Sequence, residues 1–402
     1  VTTVVPFKRI APVEAQETLA SERAGTIARV KLAAFRSYDE LALSVDSRPV
    51  VLTGTNGAGK TNLLEALSLF SPGRGLRGAR LSDMARRADP KAAPADAWAV
   101  ALKLCGRDGP HDLGTGQGFD GGDRRQARID GESASLGAFG AYLRVLWLAP
   151  AMDRLFVDGP SARRRFLDRL VLSLEAEHAT HSVRYAQAMR ERNVLLRDGA
   201  RDPSWLSGLE TEMTIHGVKL AACRLATVRR LGSALADQRT AFPRAALSLS
   251  GHIEEQLAAG LAPKEIEREF ALGLARGRAR DAAAGRALEG PHVSDLCVTH
   301  EDLGRAADQC STGEQKALLV GLVLAQARLV ATEAPGLGPV LLLDEVTAHL
   351  DRSRRAALFA AIVAEGLQAW LTGTDAELFA PLGRGAQRFT VMESRVVPGI
   401  GS

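Results

Sequence analysis

The stretch Gly54-Thr55-Asn56-Gly57-Ala58-Gly59-Lys60-Thr61-Asn62 decides the fold class of this chain. An apolar run, RPVVLTG (48–54), leads into it, and TNLLEALSLF (61–70) follows with its apolar residues at helical spacing. A strand that turns through glycines into a helix is the arrangement of a phosphate-binding loop. Gly54, Gly57 and Gly59 let successive backbone N–H groups point inward around phosphate oxygens. Thr55, Asn56 and Ala58 complete the cradle between them. Lys60 can reach β- and γ-phosphates, and the Thr61 hydroxyl is a ligand for Mg²⁺. The helix that starts here adds the positive end of its dipole. A chance match in a glycine-rich chain would lack the flanking strand and helix, so the expected ligands are ATP and Mg²⁺.

Downstream, VLLLDE (340–345) reads as a buried strand ending in two carboxylates. Asp344 at the strand end would hold Mg²⁺ directly or through water. Glu345, the next residue, is placed to polarise the attacking water as general base. An adjacent Asp-Glu pair marks ABC-type ATPases better than GTPases or kinases. Asp351, in TAHLD (347–351), falls where such ATPases carry a dimer-interface loop. Before the strand, Ser311-Thr312-Gly313-Glu314-Gln315-Lys316 opens an apolar helix. Ser followed by Glu three residues on is also a plain capping box, and that reading stays open. In the order phosphate loop, Ser311 box, Asp-Glu strand and Asp351, the box reads as a signature motif. Ser311 and Gly313 would then close over ATP held by a second copy of the chain, making ATP the glue of a homodimer.

The rest of the chain arranges itself around these motifs. TIARVKLAAF, LALSV, AWAVALKL (97–104), RQARID (125–130) and RVLWL (144–148) read as strands. From Ser161 to about Arg280 the chain is long helical stretches interrupted at Asp202-Pro203, Phe242-Pro243 and Ala262-Pro263. Strands return in GPHVSDLCV (290–298) and PVLLLDEV (339–346). The expected architecture is α/β: a P-loop, ABC-type ATPase domain like an SMC head, with an inserted, mostly helical arm. Its parts would be a flexible tail (1–25), a first ATPase segment (26–150), the arm (151–285) and a second ATPase segment (286–402).

Composition narrows the setting. Charged residues make up 24% and hydrophobic residues 46%, ordinary values for a globular chain of 402 residues with room for more than one core. The net charge of +4 permits a polyanionic partner without requiring one. Four scattered cysteines form neither a metal pattern nor a disulfide framework, which fits a reducing cytoplasm. ALLVGLVLAQA (317–327) is far shorter than a membrane span, and the first residues lack a signal-peptide core.

Spacing separates the ABC classes. Lys60 and Ser311 lie roughly 250 residues apart, too far for a typical transporter subunit and too near for SMC coiled-coil arms. Over 27–375 the chain resembles the RecF family of bacterial recombination-mediator ATPases. The resemblance is carried by FRSY (35–38), GTNGAGKTNLLEAL (54–67), GP-x-x-RRRFLD (159–168), GPHVSDL (290–296), STGEQKALL (311–319), LLLDEVTAHLD (341–351) and LTGTD (371–375). It implies an SMC-like head with a short arm, ATP-dependent dimerisation on gapped DNA or at single-strand/duplex junctions, and weak DNA-stimulated ATP hydrolysis. It also implies work with RecR and RecO in loading RecA at single-strand gaps in DNA repair and replication restart, in the nucleoid-associated cytoplasm and away from membranes.

This chain departs from the family pattern at several points. Glu345 stands where many relatives have a second Asp, and His349 where an acidic residue is frequent. Val293 stands in place of an Arg, and PAMD (150–153) replaces a Pro-Glu pattern. Thr372 and Thr374 occupy the region of the ABC switch histidine, so neither a γ-phosphate sensor nor a Q-loop residue is assigned. Arg74, Arg77 and Arg80, and Arg163, Arg164 and Arg165, could track DNA phosphates, or could be solvated helix faces. Arg36 and Tyr38 are candidate neighbours of the nucleotide. Aromatics are only 5%, too few for the stacking platforms of single-strand binders, so duplex or junction backbone is the favoured target. Two other readings stay open: a transporter ATPase subunit, and a DNA clamp with negligible turnover.

Overall fold

The computed structural model describes residues 23–87, 89, 93–118, 124–199, 203–236, 241–348 and 350–399. Most of the expected tail, and His349, lie outside these residues. The chain packs as two compact units, one holding 23–152, 241–242 and 323–399, the other 153–236 and 243–322.

In chain order the first unit contributes β1 (Thr26–Phe35), β2 (Tyr38–Ser44), β3 (Val50–Thr53), α1 (Lys60–Ser68), β4 (Trp98–Gly106), β5 (Gly109–Gln117), β6 (Gln126–Ile129), β7 (Glu132–Ala134) and β8 (Val145–Leu148). The second unit follows with α2 (Pro160–Leu172), α3 (Glu177–Arg197), α4 (Pro203–Ala236), β9 (Ala245–Ser250), α5 (His252–Ala258), α6 (Pro263–Ala284), β10 (Asp295–His300) and β11 (Arg305–Ala306). Helix α7 (Thr312–Glu333) begins in the second unit and ends in the first, which closes with β12 (Val340–Leu343), α8 (Arg352–Ala364), β13 (Gln368–Gly373), β14 (Gln387–Met392) and β15 (Arg395–Pro398).

The first unit has two sheets. In one, β14, β3, β13, β12 and β8 run parallel in that order, with β15 antiparallel on the β14 edge. Its central strands are apolar on both faces, and the four residues of β12 are at most 1% exposed, as expected of a parallel sheet covered on both sides. The other sheet is antiparallel, in the order β2-β1-β4-β5-β6-β7. Val30 and Leu32 of β1 and Val100, Leu102 and Leu104 of β4 face the core, while Arg29, Lys31 and Lys103 alternate to the other face. Strand β5 is absent from the sequence reading because GPHDLGTGQ looks like a loop. It becomes a strand by pairing with β4 in register from Gly106↔Gly109 to Trp98↔Gln117, a tertiary override of weak propensity.

The second unit is helical, as expected, but it also carries a three-stranded antiparallel sheet, β11-β10-β9. Its prolines mark where elements begin, with Pro160, Pro203 and Pro263 each the first residue of a helix, where the missing N–H costs nothing. Strand β10 pairs along its whole length with β9, so the second unit extends to Leu322, whereas the sequence reading ends the arm at 285. Helix α7 is long and apolar enough, by length and composition, to cross a membrane, but 78% of its most apolar window is buried within the protein. The four cysteines are free thiols.

Candidate phosphate-binding site

Strand order puts the two acidic residues beside the glycine loop. In the parallel sheet β13 lies between β3, which feeds the loop, and β12, which ends at Asp344. The strands finish level, with Thr372 of β13 opposite Leu52 of β3 and Leu371 opposite Leu343 of β12. Groups that leave the carboxyl ends of such strands converge in one crevice.

The loop is shaped by positions that only glycine fills. Gly54 has φ +152°, and a Cβ there would come within 2.2 Å of the Val391 carbonyl oxygen. Gly59 has φ +113° and precedes the first residue of α1. The buried Tyr38 hydroxyl donates to the Gly59 carbonyl at 3.1 Å, and burial raises the Tyr38 phenol well above its ordinary pKa. The turn between β14 and β15 supports the other side, where the Ser394 N–H donates to the Ala58 carbonyl at 2.9 Å. Lys60 is 4% exposed, and its ammonium donates to the carbonyls of Gly54 (2.6 Å) and Thr55 (2.8 Å). Burial lowers the Lys60 pKa, while the Glu345 and Asp344 carboxylates pull it back up.

Thr61 and Asp344 meet directly. The Thr61 hydroxyl donates to Asp344 Oδ1 at 2.9 Å. Thr372 adds a second donor to the same oxygen at 2.7 Å, and its own oxygen accepts the Glu345 N–H at 2.9 Å. Glu345 sits at φ +48°, in the left-handed region that a glutamate seldom adopts. The donor set suits a hard cation, because the Thr61 proton is directed at Asp344 and a lone pair of its oxygen is left for a metal. Among the described residues no group of three or more His, Cys, Asp or Glu could hold a metal ion.

The other candidates divide. Asp351 caps α8, accepting the Arg354 N–H at 2.8 Å. Ser311 and Gly313 lie in the second unit, where Ser311 forms a capping box: its N–H and hydroxyl both donate to Glu314 Oε2, at 2.7 and 2.8 Å. Asn56 and Gly57 are exposed at the loop's tip. Arg36 is engaged in a two-pronged pair with buried Glu65 at 2.6 and 2.8 Å and a bond to the Asp83 carbonyl. Arg77 also reaches Glu65, while Arg74 and Arg80 are exposed. Arg163 is bound to Asp295 by two hydrogen bonds of 2.7 and 2.9 Å, and Arg164 to the Ser294 carbonyl, so of that trio only Arg165 is exposed. The residue that sequence reasoning left without a role is Thr372; its signal was the polar threonine in an otherwise apolar strand, AWLTG.

The model of the RecF/RecN/SMC N-terminal domain matches residues 26–384. A DNA replication and repair protein RecF of Rhizobium meliloti (strain 1021) is 50% identical over 375 residues, covering 92% of this chain and 98% of its own. The chain belongs to the RecF family. A RecF of Agrobacterium fabrum (strain C58) is 49% identical over 370 residues, 91% of this chain and 96% of its own. Among solved structures, the recombination mediator protein RecF with ATPrS, in the RecFOR pathway, superposes with a TM-score of 0.78 at 20% identity, over 94% of this chain and 99% of that one. The Smc head of Pyrococcus furiosus gives 0.52 at 16% identity, over 92% and 95%. This RecF-family chain therefore has the α/β fold of the RecF and SMC-head ATPases, and family membership sets the transporter reading aside.

Proposed function

We propose that this chain is a DNA-binding ATPase of recombinational repair, in which ATP and Mg²⁺ occupy the crevice at the ends of β3, β13 and β12. The carrying observation is the hydrogen-bonded run from Thr61 through Asp344 and Thr372 to the Glu345 N–H. The family of its near relatives and the ATP-family ligand named with a solved RecF support the same reading. The loop residues Gly54 to Thr61 wrap the phosphates, Lys60 neutralises their charge, and Thr61 and Asp344 hold the metal. Glu345 activates the water. Ser311 and Gly313 act on ATP held by a second copy, with Asp351 near that interface. Residues 26–150 and 286–402 supply the ATPase motifs and 151–285 the arm, with 286–322 packed in the second unit.

ATP then controls closure of a homodimer on gapped or junction DNA, a two-state switch set by differential binding. Hydrolysis is weak and stimulated by DNA, and the closed dimer works with RecR and RecO to help load RecA. Arg74, Arg80 and Arg165, exposed and not paired to a carboxylate as exposed Arg77 is to Glu65, supply phosphate contacts without reading sequence. The test is ATP hydrolysis and sedimentation with and without gapped duplex, at two salt concentrations. The expected result is a DNA-stimulated rate and an ATP-dependent dimer that Glu345→Gln traps. A chain that turns over no faster with DNA and stays monomeric with ATP overturns the reading, and a Glu345→Gln variant indistinguishable from wild type favours a clamp without turnover.

A further inference from the structure

Thr372 is fully buried at the end of the strand between the two motif-bearing strands. One hydroxyl there does two tasks. Its proton goes to Asp344 Oδ1 at 2.7 Å, and its oxygen takes the Glu345 N–H at 2.9 Å. A hydroxyl has one donor and two acceptor positions, so it can do both at once. Asp344 Oδ1 receives a second hydroxyl from Thr61 in the first turn of α1, so that carboxylate oxygen is held from the neighbouring strand and from the helix after the glycine loop. Glu345, one residue on, is held at φ +48°, a conformation that persists only where the surroundings enforce it. Two bonds hold it there: its N–H donates to the Thr372 hydroxyl at 2.9 Å, and its carbonyl accepts the Ala348 N–H at 3.1 Å, of which the first comes from a side chain. From it follows the division of labour between the two carboxylates.

We propose that Thr372 is the positioning residue of the acidic pair, setting through its hydroxyl which carboxylate faces the metal and which faces the water. The inference rests on the ATPase reading and adds a residue from a strand outside the two motifs. Thr372 touches neither nucleotide nor water in this scheme; it acts through Asp344 and Glu345. β-Branching serves the same end, because a threonine has few side-chain rotamers and its hydroxyl stays where it is needed.

Two variants separate the hydroxyl from the shape. Thr372→Val keeps the branched outline and removes the hydroxyl; Thr372→Ser keeps the hydroxyl and loses the methyl. Turnover and nucleotide affinity are measured for both beside Glu345→Gln, and exchange of the Glu345 amide is followed by mass spectrometry. The expected result for Thr372→Val is a kcat lowered on the order of 30-fold with ATP affinity changed less than about three-fold, and a Glu345 amide that exchanges faster. Thr372→Ser should recover kcat to within about three-fold and protect the amide. Equal losses in Val and Ser variants would assign the role to shape, and loss of affinity in step with kcat would assign it to general folding; either overturns the proposal. If Glu345→Gln leaves turnover intact, the general-base reading fails instead, while amide exchange in the Val variant still decides whether Thr372 holds the turn.

Discussion

In the first unit, charge at the strand ends is held by hydroxyls; in the second, charge is held by opposite charge inside the core. Asp344 takes Thr61 and Thr372 as donors, both neutral, so its negative charge stays available to a cation. Arg192, fully buried, is instead spent. It donates to Glu210 of α4 at 2.9 Å, to Asp281 of α6 at 2.7 Å and to the Leu274 carbonyl at 2.8 Å. Arg224 does the same for Asp168, at 2.8 and 3.0 Å, and adds the Pro291 carbonyl and the Ser294 hydroxyl. Compensated charge locks helices; uncompensated charge waits for a ligand. By this measure the FLD end of RRRFLD and the GPH segment are structural parts of one node, since Asp168 and Pro291 meet the same guanidinium.

The comparison breaks most visibly at Arg192. Removing one partner of a buried pair strands the other charge, so Arg192→Met should cost about 3–5 kcal/mol, read as a lower urea midpoint for the second unit. Lys60→Met should do the opposite. It should lower ATP turnover about a hundred-fold or more, as loss of a preorganised phosphate contact does, and leave the urea midpoint unchanged. A Lys60 variant that destabilises the fold as much as the Arg192 variant would erase the distinction.

The two regions also differ in how far they could be read from sequence. GTNGAGKTN and VLLLDE are contiguous, and their chemistry depends on local order, so the loop, α1 and β12 were legible residue by residue. Thr372 was not, because its partners lie 27 and 28 positions away and only strand order brings them together. The arm's helices were visible in composition, but its ion nodes were not, since Arg192 and Asp281 are 89 positions apart. The RRRFLD arginines looked like a phosphate track because nothing local distinguishes an arginine bound for Asp295 from one bound for solvent. Strands β5 and β9 escaped for the same reason, being made by their neighbours rather than by their own residues.

A milder way to sharpen the contrast is pH. Burial alone would raise the Asp168 carboxyl, but the His178 hydrogen bond and the Arg224 charge outweigh it and hold the pKa at about 2. A carboxylate depressed on folding contributes stability above its unfolded pKa and loses it as pH falls toward the folded value. For Asp168 that contribution is about 2 kcal/mol, present above about pH 4 and fading toward about pH 2. The penalty of Asp168→Asn should therefore be largest near neutral pH and shrink through that acid window, measured as the difference in urea stability from wild type. A penalty flat across the window would mean that Asp168 contributes shape rather than charge.

The smallest effect tests the one motif that both regions can claim. Ser311 starts α7 with a capping box, and a lost serine cap costs about 1 kcal/mol. Glutamine serves in place of glutamate in such a box, so Glu314→Gln should leave stability nearly unchanged. If Ser311 is only a cap, Ser311→Ala should weaken ATP-dependent dimerisation by no more than its stability loss implies, about five-fold. If its N–H and hydroxyl serve a partner's phosphate, the alanine should weaken dimerisation much further while folding falls by the same small amount. Glu314→Gln then becomes the sharper probe. Glu314 Oε2 holds the two Ser311 donors that the phosphate would need, and removing its charge should favour the dimer at lower ATP without any gain in the stability of the lone chain.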